Sequence, residues 1–294
     1  MDDIQKTNIS NALLKYCARY KTDKKGDIGI NKAAASLKNV SSATISQMLN
    51  GKWALITDEM WRNVAAQIGY NAKGWKIAKT SVYNTMDSLL IDSKENQLVN
   101  AIIGYEGSGK TEFLKDFNNG KHNFLLKCAE YWNKKHFLIK LAREIGIDPA
   151  GMNVCEIMDE IITRIPTLDN PILCFDEIDK VSDPLLYFLI TLYNDLEDYC
   201  SIIMTATPYF EKRILRGIDR NLKGFRELYS RMGKKFIHLP QITDEDVALV
   251  CMENGINDQR VIKAIIDDSA HDLRRVKKKV QAHKRSFNKK LNIA

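Results

Sequence analysis

Eight residues a third of the way along the chain, GYEGSGKT at 104–111, limit the fold more than any other feature. They satisfy G-x-x-x-x-G-K-[ST], a loop that wraps backbone around phosphate and works only between a strand and a helix. Both flanks are present. The run before it, NQLVNAIIG, is apolar and β-branched enough for a buried parallel strand, and TEFLKDF after it has helical spacing. The loop opens at Gly104, and Gly107 and Gly109 let the backbone wrap closely. The N–H groups of 107–111, that of Ser108 among them, then point at phosphate oxygens. Lys110 reaches the β and γ phosphates, and the Thr111 hydroxyl is a ligand for Mg²⁺.

Apolar strands alternate with helical segments after this loop. QLVNAIIG, NFLLKCA, PILCFDE, SIIMTAT and KFIHLP read as strands, separated by patterns such as KKHFLIKLAREIG and DPLLYFLITLYNDLEDY. That alternation predicts an α/β domain with a five-stranded parallel sheet covered by helices. After KFIHLP the strands stop. Thr243, with Glu245 or Asp246 completing a capping box, starts an all-helical lid. The 294 residues suffice for one large or two ordinary domains. They divide into a small all-α module at 1–70, a linker and lead-in helix at 71–95, a nucleotide-binding core at 96–241 and the lid at 242–294.

Further residues fall where nucleotide chemistry needs them. In PILCFDEID, four apolar residues end in Asp176 and Glu177, carboxylates at the C-terminal end of a parallel strand. Asp176 would hold Mg²⁺ through water, and Glu177 would polarise the attacking water. At the end of SIIMTATPYF a hydroxyl can orient that water; Thr207 is the first choice and Thr205 the alternative. Arg226 and Arg231 precede the last strand, where an arginine could reach the γ-phosphate of a neighbouring subunit. Arg274, in HDLRRVKKKV, could fold back onto the nucleotide of its own subunit. These elements, in this order, resemble the AAA+ ATPases over about 96–290. The resemblance implies that ATP binds between subunits of a ring or helical filament. It puts Thr207 at the sensor 1 position, often Asn in that family, Arg231 at the arginine finger and Arg274 at sensor 2, with His271 where a Gly is usual.

The net charge of +7 is unevenly spread. Through Lys79 there are 13 Lys plus Arg against 6 Asp plus Glu, and the run LRRVKKKVQAHKRSFNKK near the C-terminus is strongly basic. Two basic ends suggest a polyanionic partner. Within the first, INKAAASLKNVSSATISQMLNGKW reads as two short helices, 31–37 and 43–49. Asn39 suits the left-handed turn between them, and Ser41 or Ser42 the second cap. Ile30, Ala34, Leu37, Val40, Ile45 and Leu49 form the apolar set that holds them. This resembles a helix-turn-helix of the phage-repressor type. Thr44, Ser46, Gln47, Asn50 and Lys52 would then face a DNA groove or its phosphates.

A helix-turn-helix ahead of a compact AAA+ core resembles the family of the phage Mu B transposition protein. The likeness is clearest in SSATISQMLNGK, IIGYEGSGKTE, CFDEIDKV and RELYSRM. It implies an ATP-dependent protein that polymerises on double-stranded DNA, selects the target and stimulates a transposase. It also implies that basic residues of the core track the DNA, for which Lys134, Lys135 and Lys180 are the candidates. A helicase loader of the same lineage and an ATP-gated helix-turn-helix regulator of transcription are the alternatives.

Other classes fit poorly. No apolar run approaches the ~20 residues of a membrane span. MDDIQKTNIS is acidic and polar, unlike a signal peptide. The six cysteines form no C-x-x-C pair, and a reducing cytoplasm with buried thiols suits them better than disulfides or zinc.

Overall fold

The computed structural model describes residues 1–21, 27–70 and 74–291, with the side chains of the last helix described through Ser286. The start of the expected linker, 71–73, and the last three residues of the expected lid lie outside the described residues. Five parallel strands form the sheet: β1 (Val99–Ile103), β2 (Asn123–Lys127), β3 (Ile172–Asp176), β4 (Ser201–Ala206) and β5 (Phe236–His238). Their order is β2-β3-β4-β1-β5. The α/β class and the five parallel strands agree with the sequence reading. Residues Phe175 and Met204 are paired across β3 and β4, and Ile102 and Thr205 across β1 and β4. The chain leaves β1 toward one edge of the sheet and leaves β4 toward the other. That reversal opens a crevice above the C-terminal ends of the strands.

Alternation along each strand sends side chains to two separate cores. Ala101, Ile103, Leu173, Phe175, Ile202 and Met204 pack on one face. Ile102, Ile172, Cys174 and Ile203 pack on the other. β3 and β4 are buried throughout, which is why their sequences read as nearly continuous apolar runs.

The first face is covered by α7 (Lys134–Glu144), α8 (Val154–Arg164), α9 (Asp183–Leu196), α10 (Pro208–Asp219) and α11 (Phe225–Arg231). The N-terminal helices belong to the same core. They are α1 (Asp3–Ala18), α2 (Ile30–Ser36), α3 (Ser42–Leu49) and α4 (Asp58–Gln67). Leu13, Cys17, Ile45, Met48, Trp61 and Val64 are buried in one continuous cluster with Phe137, Leu141 and Ile145. Each large side chain so buried stabilises by about 1.5–3 kcal/mol.

The second face carries α5 (Ser81–Glu95), α6 (Lys110–Phe117) and the lid, α12 (Asp244–Glu253), α13 (Gln259–Ser269) and α14 (Leu273–Leu291). Thr243 starts the lid by capping α12, and Asp246 is its partner in a capping box. Five cysteines are buried and Cys155 is exposed. No helix among the described residues is long and apolar enough to cross a membrane.

Candidate functional site

The C-terminal ends of β1, β3 and β4 open into a cleft of about 1020 Å³. The loop after β1 forms its floor. Gly107 and Gly109 have φ of +76° and +96°, where a side chain would be strained. A Cβ on Gly107 would lie 2.1 Å from Asp272 Oδ1, because the loop is strapped to the start of α14. The strap includes a hydrogen bond of 2.9 Å from Leu273 N to Gly107 O. Among the described residues, the N–H groups of Gly107, Gly109, Lys110 and Thr111 meet no intramolecular acceptor. Lys110 Nζ donates to the carbonyls of Gly104 and Tyr105 at 2.6 and 2.8 Å. Burial lowers its pKa, against the pull of Asp176. Open donors at the first turn of a helix, beside an ammonium surrounded by neutral oxygens, make an anion site.

Asp176 faces this floor from the end of β3 and is 1% exposed. Its Oδ2 accepts from the Thr111 hydroxyl at 2.7 Å. Its Oδ1 accepts from the Thr205 hydroxyl at 2.7 Å and from Glu177 N at 3.0 Å. The Thr111 hydroxyl and a buried carboxylate thus meet at one point, a hard oxygen set of the kind Mg²⁺ takes beside phosphate. These residues fit a magnesium nucleotide.

Glu177 stands next, in the left-handed conformation at φ +56°, unusual for a glutamate. The following turn brings Lys180 Nζ back to its carboxylate at 2.6 Å, and Lys127 Nζ approaches from β2 at 3.3 Å. Burial alone would raise the Glu177 pKa. The two ammonium groups outweigh it and hold the carboxyl below the ordinary glutamate value. Lys180, expected on a DNA-tracking loop, therefore sits in the wall of the cleft.

Thr207 reaches a different carboxylate from the one Thr205 reaches. Its hydroxyl donates to Asp179 Oδ2 at 2.7 Å. Arg213 braces that turn by donating to the carbonyls of Asp179 and Val181 and pairing with Asp183.

Arg274 lines the cleft from α14, with Lys277 and Lys278. The preceding His271, in the position where the family resemblance expected glycine, has φ +60°. Its Nε2 lies 2.7 Å from Asp244 Oδ1. The opposite wall is the segment before α5. The Trp75 ring lies 5.2 Å from the Lys277 ammonium. The Asn254 side chain pairs with both N and O of Lys76, each at 3.0 Å. Asp246 accepts from Ser81 N at 2.7 Å and from its hydroxyl at 2.5 Å. The wall is thereby fastened to the lid.

Arg231 lies away from the cleft, in the last turn of α11. Its guanidinium is 5.0 Å from the Tyr193 ring centroid and 3.8 Å from Glu227. It borders a small apolar cavity with Val99 and Ile202, at the N-terminal ends of their strands. It therefore does not contribute to its own chain's cleft.

The nucleic-acid candidates are also outside. Ser41 caps α3 by accepting from Thr44 N at 3.1 Å, and Asn39 takes φ +56° in the turn before it. Asn50 and Lys52 are exposed, while Thr44, Ser46 and Gln47 are half-buried. Asn50 Nδ2 donates to Ser46 Oγ at 3.2 Å. Lys134 and Lys135 are exposed in the first turn of α7, whose cap is Asn133.

Sequence reasoning missed Lys127, Asp179, Arg213 and Trp75 as parts of the cleft. Lys127 had a readable signal, as the residue at the C-terminal end of the second strand. The others depend on tertiary placement.

Residues 93–214 match a family model described as an AAA domain. No curated protein matches the chain. Among solved structures it is similar to the Aeropyrum pernix ORC1 protein in complex with DNA. That match has 16% identity and a TM-score of 0.50, covering 76% of this chain and 61% of that one. NtrX from Brucella abortus is similar at 13% identity and a TM-score of 0.48, covering 83% and 57%. The chain thus spans about three fifths of the length of these structures. With the strand order, the phosphate-binding loop and the helical lid in place, the fold is that of an AAA+ P-loop protein, and 93–214 is the part that matches the AAA domain model.

Proposed function

We propose that this chain is an ATPase that binds double-stranded DNA under the control of ATP and assembles on it. The observation that carries the reading is the convergence of Lys110, Thr111, Asp176 and Glu177 in one cleft. ATP would lie along the loop, with its phosphates on the open N–H groups and Lys110. Mg²⁺ would be held by Thr111 and Asp176, where it screens phosphate charge. Glu177 is the base for the attacking water, Thr207 orients it, and Arg274 contacts the nucleotide from the lid. Arg231, remote from its own cleft, acts on the nucleotide of a neighbouring subunit in a ring or filament.

DNA is held at two places in this reading. Helix α3, with α2 and the turn between them, is a helix-turn-helix whose Thr44, Ser46, Gln47, Asn50 and Lys52 face the groove or phosphates. Lys134 and Lys135 contact backbone from the core. Recruitment of a transposase, and so target selection in transposition, rests on the resemblance to the phage Mu B family.

The test is salt-titrated binding of the full chain to several unrelated duplexes, with and without Mg·ATP. Point variants are needed, because deleting 1–70 would strip buried side chains from the shared core. Affinity should rise with ATP and fall with salt, with a log–log slope of about −0.9 per phosphate neutralised. Lys52→Ala and Lys134→Ala should each shrink that slope by about one unit. ATP-independent binding to a single sequence would overturn the reading in favour of a repressor.

A further inference from the structure

We infer that Arg19 is a positioning residue that ties the N-terminal helices to the phosphate-binding helix, so that nucleotide and DNA binding are coupled through it. This rests on the reading above, that the cleft takes ATP and the N-terminal helices take DNA.

Arg19 follows the last residue of α1 and is 3% exposed, an unusual burial for an arginine. Everything its Nη2 touches lies in the ATPase core. It pairs with the Glu144 carboxylate at the end of α7. It donates to Asn118 Oδ1 at 2.9 Å and to the Asn123 carbonyl of β2 at 3.2 Å. Its guanidinium sits 4.9 and 5.4 Å from the rings of Tyr16 and Tyr20. Burial disfavours the charge, and Glu144 together with Tyr20 and Tyr16 more than restores it.

Asn118 makes this more than a clamp. It is the C-cap of α6, the helix that begins at Lys110 and Thr111. Eight residues of helix span about 12 Å, short enough to move as a rod. Asn118 also donates to Glu144 Oε1 at 3.1 Å, closing a triangle of Arg19, Glu144 and Asn118. One end of α6 would therefore hold phosphate while the other holds the N-terminal helices.

The contact continues into the helix pair that precedes the proposed recognition surface. Tyr20 donates to the Glu144 carbonyl at 2.9 Å. A Cβ on Gly146 would lie 2.9 Å from Cβ of Lys32 in α2, so α2 rests directly on the turn that ends α7. A rotation of α6 has little slack to absorb before it reaches α2 and α3.

Coupling of this kind is reciprocal: nucleotide changes DNA affinity by the factor with which DNA changes nucleotide affinity. The experiment uses the full chain. The affinity for a labelled duplex is measured with and without a non-hydrolysable ATP analogue and Mg²⁺, and the affinity for the analogue with and without duplex. The wild type should give equal ratios of about 5-fold or more. Arg19→Lys keeps the charge and loses the fork. Asn118→Ala leaves the Arg19–Glu144 pair and cuts only the link to α6, so it serves if the first variant does not fold. Either should bring the ratio toward one while nucleotide affinity without DNA stays within about twofold.

A merely structural Arg19 would weaken both states equally, and an unchanged ratio in folded Asn118→Ala would overturn the inference. A wild-type ratio of one with both ligands bound would remove the ATP control that the proposed function claims, whereas a ratio above one that Asn118→Ala leaves unchanged overturns the inference alone. A wild type that binds no nucleotide or no duplex would instead remove that function.

Discussion

Two threonines two residues apart offer a sharp test of the site. Thr205 is fully buried and donates to Asp176, itself 1% exposed. Thr207 donates to Asp179 at the edge of the cleft, where water can replace it. Valine matches threonine in shape and lacks the hydroxyl. In Thr205→Val the buried carboxylate loses one charge-assisted hydrogen bond and keeps those from Thr111 and Glu177 N. Such a bond contributes about 1.5–3 kcal/mol, against about 0.5–1 kcal/mol where solvent can substitute. At about 2.1 cal/mol/K per residue, a chain of this length has an unfolding entropy near 0.6 kcal/mol/K. The expected fall in Tm is therefore about 2–5 °C for Thr205→Val and about 1–2 °C for Thr207→Val. Scanning calorimetry would measure both, with and without Mg·ATP. The extra stabilisation from Mg²⁺ should also shrink in Thr205→Val, because the carboxylate is less firmly aimed. Equal losses, or the larger one in Thr207→Val, would refute the claim that the buried hydroxyl holds Asp176.

Glu177→Gln should keep ATP binding and slow turnover about 10²-fold or more. Because the two lysines depress the Glu177 pKa, its ionised form persists below the ordinary glutamate value of about 4.3. The stabilisation from those pairs is present above that value and is lost as pH falls through the lower folded one. Wild-type turnover should accordingly show no acid limb from this group between pH 5 and 7, and a limb assigned to it there would contradict the assignment. Gly107→Ala must place a Cβ against Asp272 at a left-handed φ, which costs about 1–2 kcal/mol before the clash is counted. ATP affinity should drop about tenfold by isothermal titration, and adding Asp272→Ser should recover part of it; full affinity in the single variant would argue against the close strap. Arg231→Ala should spare nucleotide binding yet abolish assembly-dependent hydrolysis, and mixing it with Lys110→Ala should restore some activity at hybrid interfaces. No rescue would count against a shared site.

The parts of the fold written in local pattern were readable in the sequence. The five strands announce themselves as apolar runs because their parallel sheet is buried on both faces, and the phosphate loop needs glycines at fixed offsets. Asn39 and Ser41 were legible for the same reason: a left-handed turn and a helix cap are local requirements. What depends on distant partners was not readable. Thr205 lies in β4 and Thr207 is the N-cap residue of the helix just beyond it, and only the register of β4 against β3 decides which meets Asp176. Lys180 reads as a solvated loop lysine until the turn after Glu177 folds it back. Arg19 looks like any basic residue at a helix end. Its partners stand 99, 104 and 125 residues away, beyond any spacing rule.

The pairing of Arg19 with Glu144 also bears on how the chain survives its own synthesis. β2 is an edge strand, and its outward backbone groups are an invitation to another strand. Two of them are already taken: the Asn123 carbonyl by Arg19, and Leu125 N by Glu144 at 3.4 Å. The opposite edge, β5, is only three residues long, too short to recruit much. The cover for the longer edge comes from both directions along the chain: Arg19, at the end of α1, precedes the strand by about a hundred residues, and Glu144 follows it by about twenty. The plug is therefore complete once the chain has passed Glu144, and from then on aggregation through β2 is opposed. A chain carrying a neutral residue at position 19 should consequently show its defect in soluble yield during expression at warm temperature before it shows one in the purified protein.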